Sequence, residues 1–318
     1  MFIKHKFTLY GVMAILLWSC VIALLRNNAE LLGPIGGAAM VYSLSSVMLI
    51  AVLGFPKLRD FSIKYLIIGG GLFASYEVLF SLALGFANDR VQTIEMGVIN
   101  YLWPSFTVLF AILAKKHFDK KAAATQKPTS WLVYPSIGLA FFGVAWSILG
   151  DQGFSIASLS ENISSNPVAY SFAFSGAIIW GFYCSVTKYL SDGKNAITLF
   201  FIFTAIALWI EYAISDEPVI SFSTQSVLSL FITSAVMASG YALWNVAIIG
   251  GNMMFLATLS YFTPIFSSFT STIILGVALG QTFWQGVIFV TIGSLICWWV
   301  TREKSETLID SAHTANET

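Results

Sequence analysis

Glu77 is the one carboxylate that falls well inside a long apolar run of this sequence, the run at 65–85. An ionised side chain at such a position costs at least about 2.5–3.5 kcal/mol unless it is paired, hydrated or protonated. Three roles would justify that cost: Glu77 binds a proton, it binds a cationic group of a ligand, or it accepts hydrogen bonds from a neighbouring helix. Glu95 lies at the start of another apolar run, and we interpret it as a structural or interfacial carboxylate.

Two prolines interrupt apolar runs in the same way. The sequence Asn100-Tyr101-Leu102-Trp103-Pro104 lies in the run 92–114, and Ser260-Tyr261-Phe262-Thr263-Pro264 follows 160 positions later. A proline inside a helix removes its own N–H donor and displaces the carbonyl four residues before it, here that of Asn100 or Ser260. Within a bilayer such a carbonyl is tolerated only where it faces protein or a water-filled cavity. We therefore expect Pro104 and Pro264 to kink two helices that line a cavity.

Aromatic side chains supply the rest of the candidate site. Four tryptophans lie deep in their apolar runs, namely Trp18, Trp103, Trp180 and Trp244. At 100° per residue, Tyr183 shares a helix face with Trp180, and Phe80 shares one with Glu77. Indole rings around a few polar groups suit a flat aromatic ligand, or a cation held over a ring face. Packing against lipid is the alternative for any single ring.

Patterns typical of catalysis and metal binding do not occur in the sequence. His5, His117 and His313 all fall outside the apolar runs, and there is no HExxH motif or glycine-rich phosphate loop. The three cysteines show no CxxC spacing, so neither a disulfide framework nor a metal site is indicated. No basic cluster is long enough to indicate nucleic acid as a partner. We expect a protein that is not an enzyme and that needs no cofactor and no metal.

The composition indicates that these residues lie in a membrane. Of the 318 residues, 57% are hydrophobic and 10% are charged, and the mean hydropathy is +0.79. Soluble domains carry about 25% charged residues. With about 20 apolar residues as the spanning length, we predict an all-α integral membrane protein with ten transmembrane helices. The predicted spans are 7–26, 35–55, 65–85, 92–114, 131–149, 169–190, 196–214, 226–249, 253–276 and 281–301.

The basic residues predict the orientation of these spans, because loops rich in Lys and Arg stay in the cytoplasm. With the N-terminus inside, all sixteen Lys and Arg residues except Arg26 and Arg90 fall on the cytoplasmic side. Both termini are therefore predicted to be cytoplasmic.

The two halves of the chain match each other. Trp18 corresponds to Trp180 at an offset of 162, and the third span corresponds to the eighth at an offset of 164, which pairs Glu77 with Tyr241. Because each unit holds five spans, the second must enter the membrane from the opposite side. Such inverted repeats are typical of secondary transporters that bind substrate between the repeats. We predict a first five-helix repeat at 1–149, an outside linker at 150–168, a second five-helix repeat at 169–302 and a disordered cytoplasmic tail at 303–318.

Seven motifs, spread over nearly the whole chain, resemble one family. They are Leu17-Trp18-Ser19, Gly33-Pro34-Ile35-Gly36-Gly37-Ala38-Ala39, Ser75-Tyr76-Glu77, Asn100-Tyr101-Leu102-Trp103-Pro104-Ser105, Trp244-Asn245, Ser260-Tyr261-Phe262-Thr263-Pro264 and Phe283-Trp284-Gln285-Gly286. The sequence resembles the drug/metabolite transporter superfamily of EamA type, and within it the bacterial aromatic amino acid exporters. The resemblance implies a multi-pass exporter of Phe, Tyr and Trp in the bacterial inner membrane, working by alternating access. It further implies passage of other neutral amino acids and of paraquat.

The expected substrate site combines the resemblance with the helix faces. Its residues are Trp18, Tyr76, Glu77, Phe80, Asn100, Tyr101, Trp103, Trp180, Tyr183, Trp244, Asn245 and Tyr261. The rings would hold the substrate side chain, while Asn100, Asn245 and the freed carbonyls would hold its ammonium and carboxylate groups. The expected partners are the small-molecule substrate and membrane lipid, and the oligomeric state stays open. Two other functions remain as alternatives: a multidrug or other small-metabolite carrier of the same superfamily, and a membrane receptor or scaffold without transport.

Overall fold

Helices account for all regular structure in the described part of the chain. The computed structural model describes residues 2–107, 109–110, 131–149, 156–191, 194–250 and 260–301. These ranges contain no strand, so the all-α prediction is confirmed. The helices are α1 Phe2–Leu32, α2 Pro34–Leu53, α3 Gly70–Phe86, α4 Arg90–Asn100, α5 Val133–Leu149, α6 Ile156–Ser165, α7 Pro167–Leu190, α8 Ile197–Ile214, α9 Thr224–Gly250, α10 Thr263–Leu275 and α11 Gln281–Thr301. A turn of π-helix, Tyr65–Gly69, leads directly into α3.

Within the described ranges, seven helical stretches are long and apolar enough to cross a membrane. They are Leu9–Leu32, Pro34–Leu53, Tyr65–Phe86, Pro167–Thr187, Ile197–Ile214, Thr224–Trp244 and Gln281–Val300. Each lies on one of the predicted spans, namely the first, second, third, sixth, seventh, eighth and tenth. The shorter apolar helix α5 covers the fifth predicted span. The predicted tail at 303–318 lies outside the described residues.

The chain makes a turn at equivalent points of the fourth and ninth predicted spans. α4 ends at Asn100, residues 101–102 form a turn, and the helix resumes at 103–107. Residues 261–262 form the equivalent turn before α10. Because proline has no N–H, the carbonyl four residues earlier lacks its usual backbone donor. The Ser260 carbonyl accepts a hydrogen bond from the Thr263 hydroxyl at 2.5 Å instead. Trp103 stands at the corresponding position of the first interruption and offers no hydroxyl to the Asn100 carbonyl.

The first helix is longer than predicted, and the difference lies at Arg26. The sequence predicts a first span of about 20 residues, 7–26, that ends at Arg26. α1 instead continues to Leu32, and Arg26 is buried at 8% exposure. Its guanidinium donates to the carbonyls of Ala87 at 2.7 Å and Leu84 at 3.2 Å, at the end of α3. A cation at a helix C-terminus satisfies carbonyls that have no helical partner.

Glu30 joins this arginine to a second one. The Glu30 carboxylate lies 2.9 Å from Arg26 Nε and 2.6 Å from Arg90 Nη2. Hydrogen bonding to Glu30 also raises the pKa of Arg90. Arg90 donates through Nη1 to the carbonyl of Leu275, the last residue of α10, at 2.8 Å. Arg26, Glu30 and Arg90, here called the arginine clamp, thus connect the ends of α1, α3, α4 and α10.

Helix packing follows a regular pattern of partners. α1 packs against α9 and α10, and α7 packs against α3 and α4. α2 contacts α9, and α3 contacts α8. α2 also pairs with α8, and α5 pairs with α11. In the repeat predicted above, α1 to α5 correspond in order to α7 to α11. Replacing both helices of any of these pairs by their equivalents gives either another of these pairs or the same pair.

Glycine lets α5 and α11 touch backbone to backbone. A Cβ on Gly286 would lie 2.5 Å from the Gly143 carbonyl oxygen and 2.6 Å from the Ser147 nitrogen. A Cβ on Gly293 would lie 2.7 Å from the Ala140 nitrogen. In membranes small residues allow such close helix approach, and van der Waals packing then holds the pair together.

Two local features lie outside the spans that we predicted. The predicted linker at 150–168 contains the helix α6, which Asn162 Nδ2 ties to the Ile148 carbonyl at 2.8 Å. At the start of α2, the Glu217 carboxylate accepts hydrogen bonds from the Ile35 and Gly36 nitrogens, both at 2.9 Å. A carboxylate at a helix N-terminus satisfies free N–H groups and the positive end of the helix dipole.

Candidate functional site

A cavity of about 280 Å³ lies where α1, α3, α7, α9, α11 and the two interrupted helices meet. Ten of the twelve predicted substrate-binding residues line it: Trp18, Tyr76, Glu77, Phe80, Asn100, Tyr101, Trp103, Trp180, Trp244 and Tyr261. Pro104 and Pro264 line it as well. Its volume lies just below the range for ligand sites, which is roughly 300–1,000 Å³. The cavity therefore fits one small molecule.

Two predicted residues are not among the lining residues. Tyr183 lies behind Trp180, with its ring stacked on the indole at 4.9 Å between centroids. The rings of Phe73 and Phe200 also meet it edge-on, at 5.7 Å and 6.4 Å between centroids. Sharing a helix face with Trp180 placed Tyr183 close to the cavity, but the larger indole covers it. The side chain of Asn245 lies outside the described residues.

Glu77 contributes the only charge among the described lining residues. It is 3% exposed, and each of its carboxylate oxygens accepts a hydrogen bond from a tyrosine. Tyr42 Oη lies 2.5 Å from Oε2, and Tyr241 Oη lies 2.7 Å from Oε1. In the described ranges no Lys or Arg forms an ion pair with Glu77; the two ion pairs found there both involve Glu30.

The two tyrosines differ in how far sequence could reveal them. Tyr241 occupies the position in the second half that corresponds to Glu77, at an offset of 164, so the internal repeat identified it. Tyr42 comes from α2, three residues after the last residue of the motif at 33–39, and sequence analysis missed it. Only the packing of α2 against α3 brings the phenol to the carboxylate.

Three polar atoms of the cavity wall lack a hydrogen-bond partner in the described part of the chain. They are the Asn100 side-chain oxygen, Oδ1, the Trp18 indole nitrogen, Nε1, and the Ser294 hydroxyl oxygen, Oγ. The other end of the Asn100 amide is satisfied, because Nδ2 donates to Tyr76 Oη at 3.3 Å. Buried polar atoms are nearly always hydrogen-bonded. The wall thus offers a free acceptor at Asn100, a free donor at Trp18 and an anionic acceptor at Glu77.

Aromatic rings form two groups around these polar atoms. In the first, Trp180 stacks on Tyr76 at 4.5 Å, and Tyr76 stacks on Phe80 at 5.8 Å. In the second, Trp18 lies 5.1 Å from Trp244 and 5.2 Å from the ring of Tyr241. The groups are built from α3 with α7 and from α1 with α9. Stacked and tilted rings at these distances form a rigid apolar wall.

Gly240 leaves the space that Trp18 occupies. A Cβ at this position would lie 2.9 Å from both Cδ1 and Nε1 of the Trp18 indole. That separation is too short for carbon and nitrogen atoms in van der Waals contact. The indole therefore lies directly on the α9 backbone.

Glu95 provides a useful contrast to Glu77. It is half-buried in α4, and Tyr170 donates a hydrogen bond to its Oε2 at 2.5 Å. Neither residue lines the cavity. In the described ranges no group of three or more His, Cys, Asp or Glu side chains could hold a metal ion.

Comparison with known proteins places this architecture among transporters. The family model described as the EamA-like transporter family matches residues 167–299. The aromatic amino acid exporter YddG of Salmonella typhimurium (strain 14028s / SGSC 2262) is 43% identical over 301 residues, which cover 95% of this chain and 99% of the relative. The aromatic amino acid exporter YddG of Escherichia coli (strain K12) is 42% identical over 299 residues, covering 94% and 99%. A solved crystal structure shares the fold, with a TM-score of 0.61 and 19% identity over 94% of this chain and 98% of the other.

Proposed function

The chain belongs to the EamA-like transporter family, and from this premise we propose that it exports the aromatic amino acids Phe, Tyr and Trp across the membrane. The observation that carries the proposal is 43% identity over 95% of the chain to a relative named as an aromatic amino acid exporter. The cavity supports it, because a space of about 280 Å³ between two groups of rings suits one amino acid with a flat side chain.

The polar atoms of the cavity match the charged groups of an amino acid. The substrate ammonium would donate to the Glu77 carboxylate and to the free Asn100 Oδ1. The substrate carboxylate would accept from the Trp18 indole N–H. These three contacts would satisfy Asn100 Oδ1 and Trp18 Nε1, two of the three unpartnered atoms, and would give the buried Glu77 charge a cationic partner. The substrate ring would lie among Trp103, Trp180 and the neighbouring tyrosines.

A ten-helix inverted repeat would carry this site. We propose five-helix repeats at 1–149 and 169–302, with a linker at 150–168 outside, both termini in the cytoplasm, and the chain in the bacterial inner membrane. The packing pattern supports this arrangement. Under the repeat, α1 is equivalent to α7 and α3 to α9, and the contact of α1 with α9 is matched by that of α7 with α3. Likewise, α4 is equivalent to α10, and the contact of α1 with α10 is matched by that of α7 with α4. Alternating access would move one repeat against the other around the site.

Flux of labelled phenylalanine tests the proposed function. Purified protein in liposomes loaded with unlabelled Phe should take up labelled Phe by counterflow, and Tyr and Trp should compete. Flux of other metabolites without flux of Phe would identify a different carrier of the family. Absence of flux with every substrate of a broad panel would refute transport and favour a receptor or scaffold.

Two matched glutamate variants test the assignment of the ammonium contact. Glu77→Gln and Glu95→Gln each remove one carboxylate that accepts a hydrogen bond from tyrosine, but only the first changes the cavity. Glu77→Gln should lower Phe counterflow at least about tenfold, since a hydrogen bond to a charged group contributes about 1.5–3 kcal/mol. Glu95→Gln should retain it. Full counterflow in Glu77→Gln, with loss of the response to a pH gradient, would instead assign Glu77 to proton transfer.

Cysteine accessibility tests the topology. Single cysteines at Ser160 and Ala123, in a background that lacks the three native cysteines, should react with an impermeant maleimide from opposite sides. Labelling of both from the same side would disprove the proposed orientation.

A further inference from the structure

We propose that Tyr42 is a positioning residue for substrate recognition: from α2, outside the cavity, it orients the Glu77 carboxylate so that the cavity selects ligands that carry an ammonium group. The inference rests on the proposed function, because it concerns the same cavity. It adds a residue that lines no part of that cavity and that no motif of the sequence singles out.

Tyr42 is placed to act on Glu77 alone. It is fully buried, and its ring packs on Phe201 at 5.4 Å between centroids. Its hydroxyl donates to Glu77 Oε2 at 2.5 Å, while the Ser81 hydroxyl, one helical turn from Glu77, approaches Tyr42 Oη at 3.5 Å. A hydroxyl has one proton to donate and can also accept. Donation therefore runs in one direction, from Ser81 to Tyr42 to the carboxylate.

This direction of donation suits an ionised carboxylate. A carboxylate has about four acceptor sites and no proton to give. Tyr42 and Tyr241 occupy one site on each oxygen and approach from two different helices, α2 and α9. The two phenols thus fix the plane of the carboxylate and leave one acceptor site on each oxygen for a further donor. Because Glu77 lines the cavity, a ligand is the donor that can reach those sites.

An ammonium group is the donor that this arrangement favours. It carries three N–H donors and a positive charge, and none of the described lining residues supplies a positive charge. A ligand with the same ring but without the ammonium would leave the Glu77 charge unpaired in an apolar wall, which is unfavourable. Selection for amines therefore depends on Glu77 being held in this orientation, and Tyr42 supplies the shorter of its two hydrogen bonds.

Tyr42→Phe removes the hydroxyl and keeps the ring on Phe201, so it separates positioning from packing. Two competitors of labelled Phe counterflow report the effect: phenethylamine, which has the ring and the ammonium, and 3-phenylpropionate, which has the ring and the carboxylate. In Tyr42→Phe the half-inhibitory concentration of phenethylamine should rise about tenfold, and that of 3-phenylpropionate should change less than about twofold. Ser81→Ala should also raise the half-inhibitory concentration of phenethylamine, but by a smaller factor.

Tyr170→Phe is the matched control, because it deletes a phenol hydroxyl that donates to Glu95 at the same distance, away from the cavity. It should leave both competitors unchanged. Equal shifts for both competitors in Tyr42→Phe, or no shift for either, would refute the positioning role. Binding of both competitors to the purified proteins, followed by tryptophan fluorescence, gives the same comparison without transport. Wild-type protein that binds phenethylamine but exchanges no Phe would refute the proposed function while leaving the role of Tyr42 intact.

Discussion

Removal of Arg26 should destabilise the protein far more than removal of Arg90, although both arginines bind the same glutamate. Arg26 is 10% exposed in its side chain and makes short hydrogen bonds to Ala87 O at 2.7 Å and to Glu30 at 2.9 Å. Two hydrogen bonds involving a charged group contribute about 3–6 kcal/mol together. Glu30 keeps Arg90 as a partner in the variant, so we expect a loss near the lower value, about 3 kcal/mol, for Arg26→Met.

Arg90 is the internal comparison. Its side chain is 44% exposed, and water screens its ion pair, so that pair contributes about 1 kcal/mol or less. Its hydrogen bond to the Leu275 carbonyl adds about 1 kcal/mol. Arg90→Met should therefore cost about 1–2 kcal/mol, clearly less than Arg26→Met.

Thermal unfolding in detergent measures the difference. At about 2–4 °C per kcal/mol, Arg26→Met should lower the Tm by about 6–12 °C, and Arg90→Met by about one third to two thirds as much. Equal Tm values for the two variants would show that burial does not decide the contribution of these arginines. A Tm of Arg26→Met within about 2 °C of wild type would show that the hydrogen bonds from the guanidinium to the carbonyls at the end of α3 do not stabilise the protein.

Four further substitutions and one control test other parts of the structure. Trp103→Ala and Trp180→Ala should each weaken Phe binding by about 1 kcal/mol or more, as measured by fluorescence or competition, and unchanged affinity in both would assign these rings to packing. Gly286→Leu should abolish a monodisperse folded peak in size-exclusion chromatography, whereas Gly138→Leu, whose Cβ meets no atom within 4 Å, should not. Glu217→Ala should lower stability by about 1 kcal/mol through loss of the α2 cap, and an unchanged Tm would contradict that role.

Sequence predicted the parts of the fold that follow from local chemistry. Apolar length located the seven long helices, and proline marked the positions at which two helices are interrupted, because a missing N–H acts on its own helix. The buried position of Glu77 was also visible, since no other carboxylate lies as deep in an apolar run.

Sequence could not predict features that depend on contacts between helices. Arg26 ended the predicted first span because its partners, the carbonyls of α3, are about 60 residues away. The role of Tyr42 could not be predicted because its hydrogen bond to Glu77 depends on how α2 packs against α3. Tyr183 was expected in the cavity because helix periodicity gives the direction of a side chain but not which neighbour covers it.

Gly240 bears on how the range of transported molecules can change. Because the Trp18 indole rests directly on the α9 backbone at this position, an added side chain must displace the indole, which lines the cavity. Alanine at 240 would therefore change the shape of a chamber of only about 280 Å³ without replacing any lining residue. Evolution or laboratory selection for ligands of a different shape has a one-step route here, while the lining residues keep their identities.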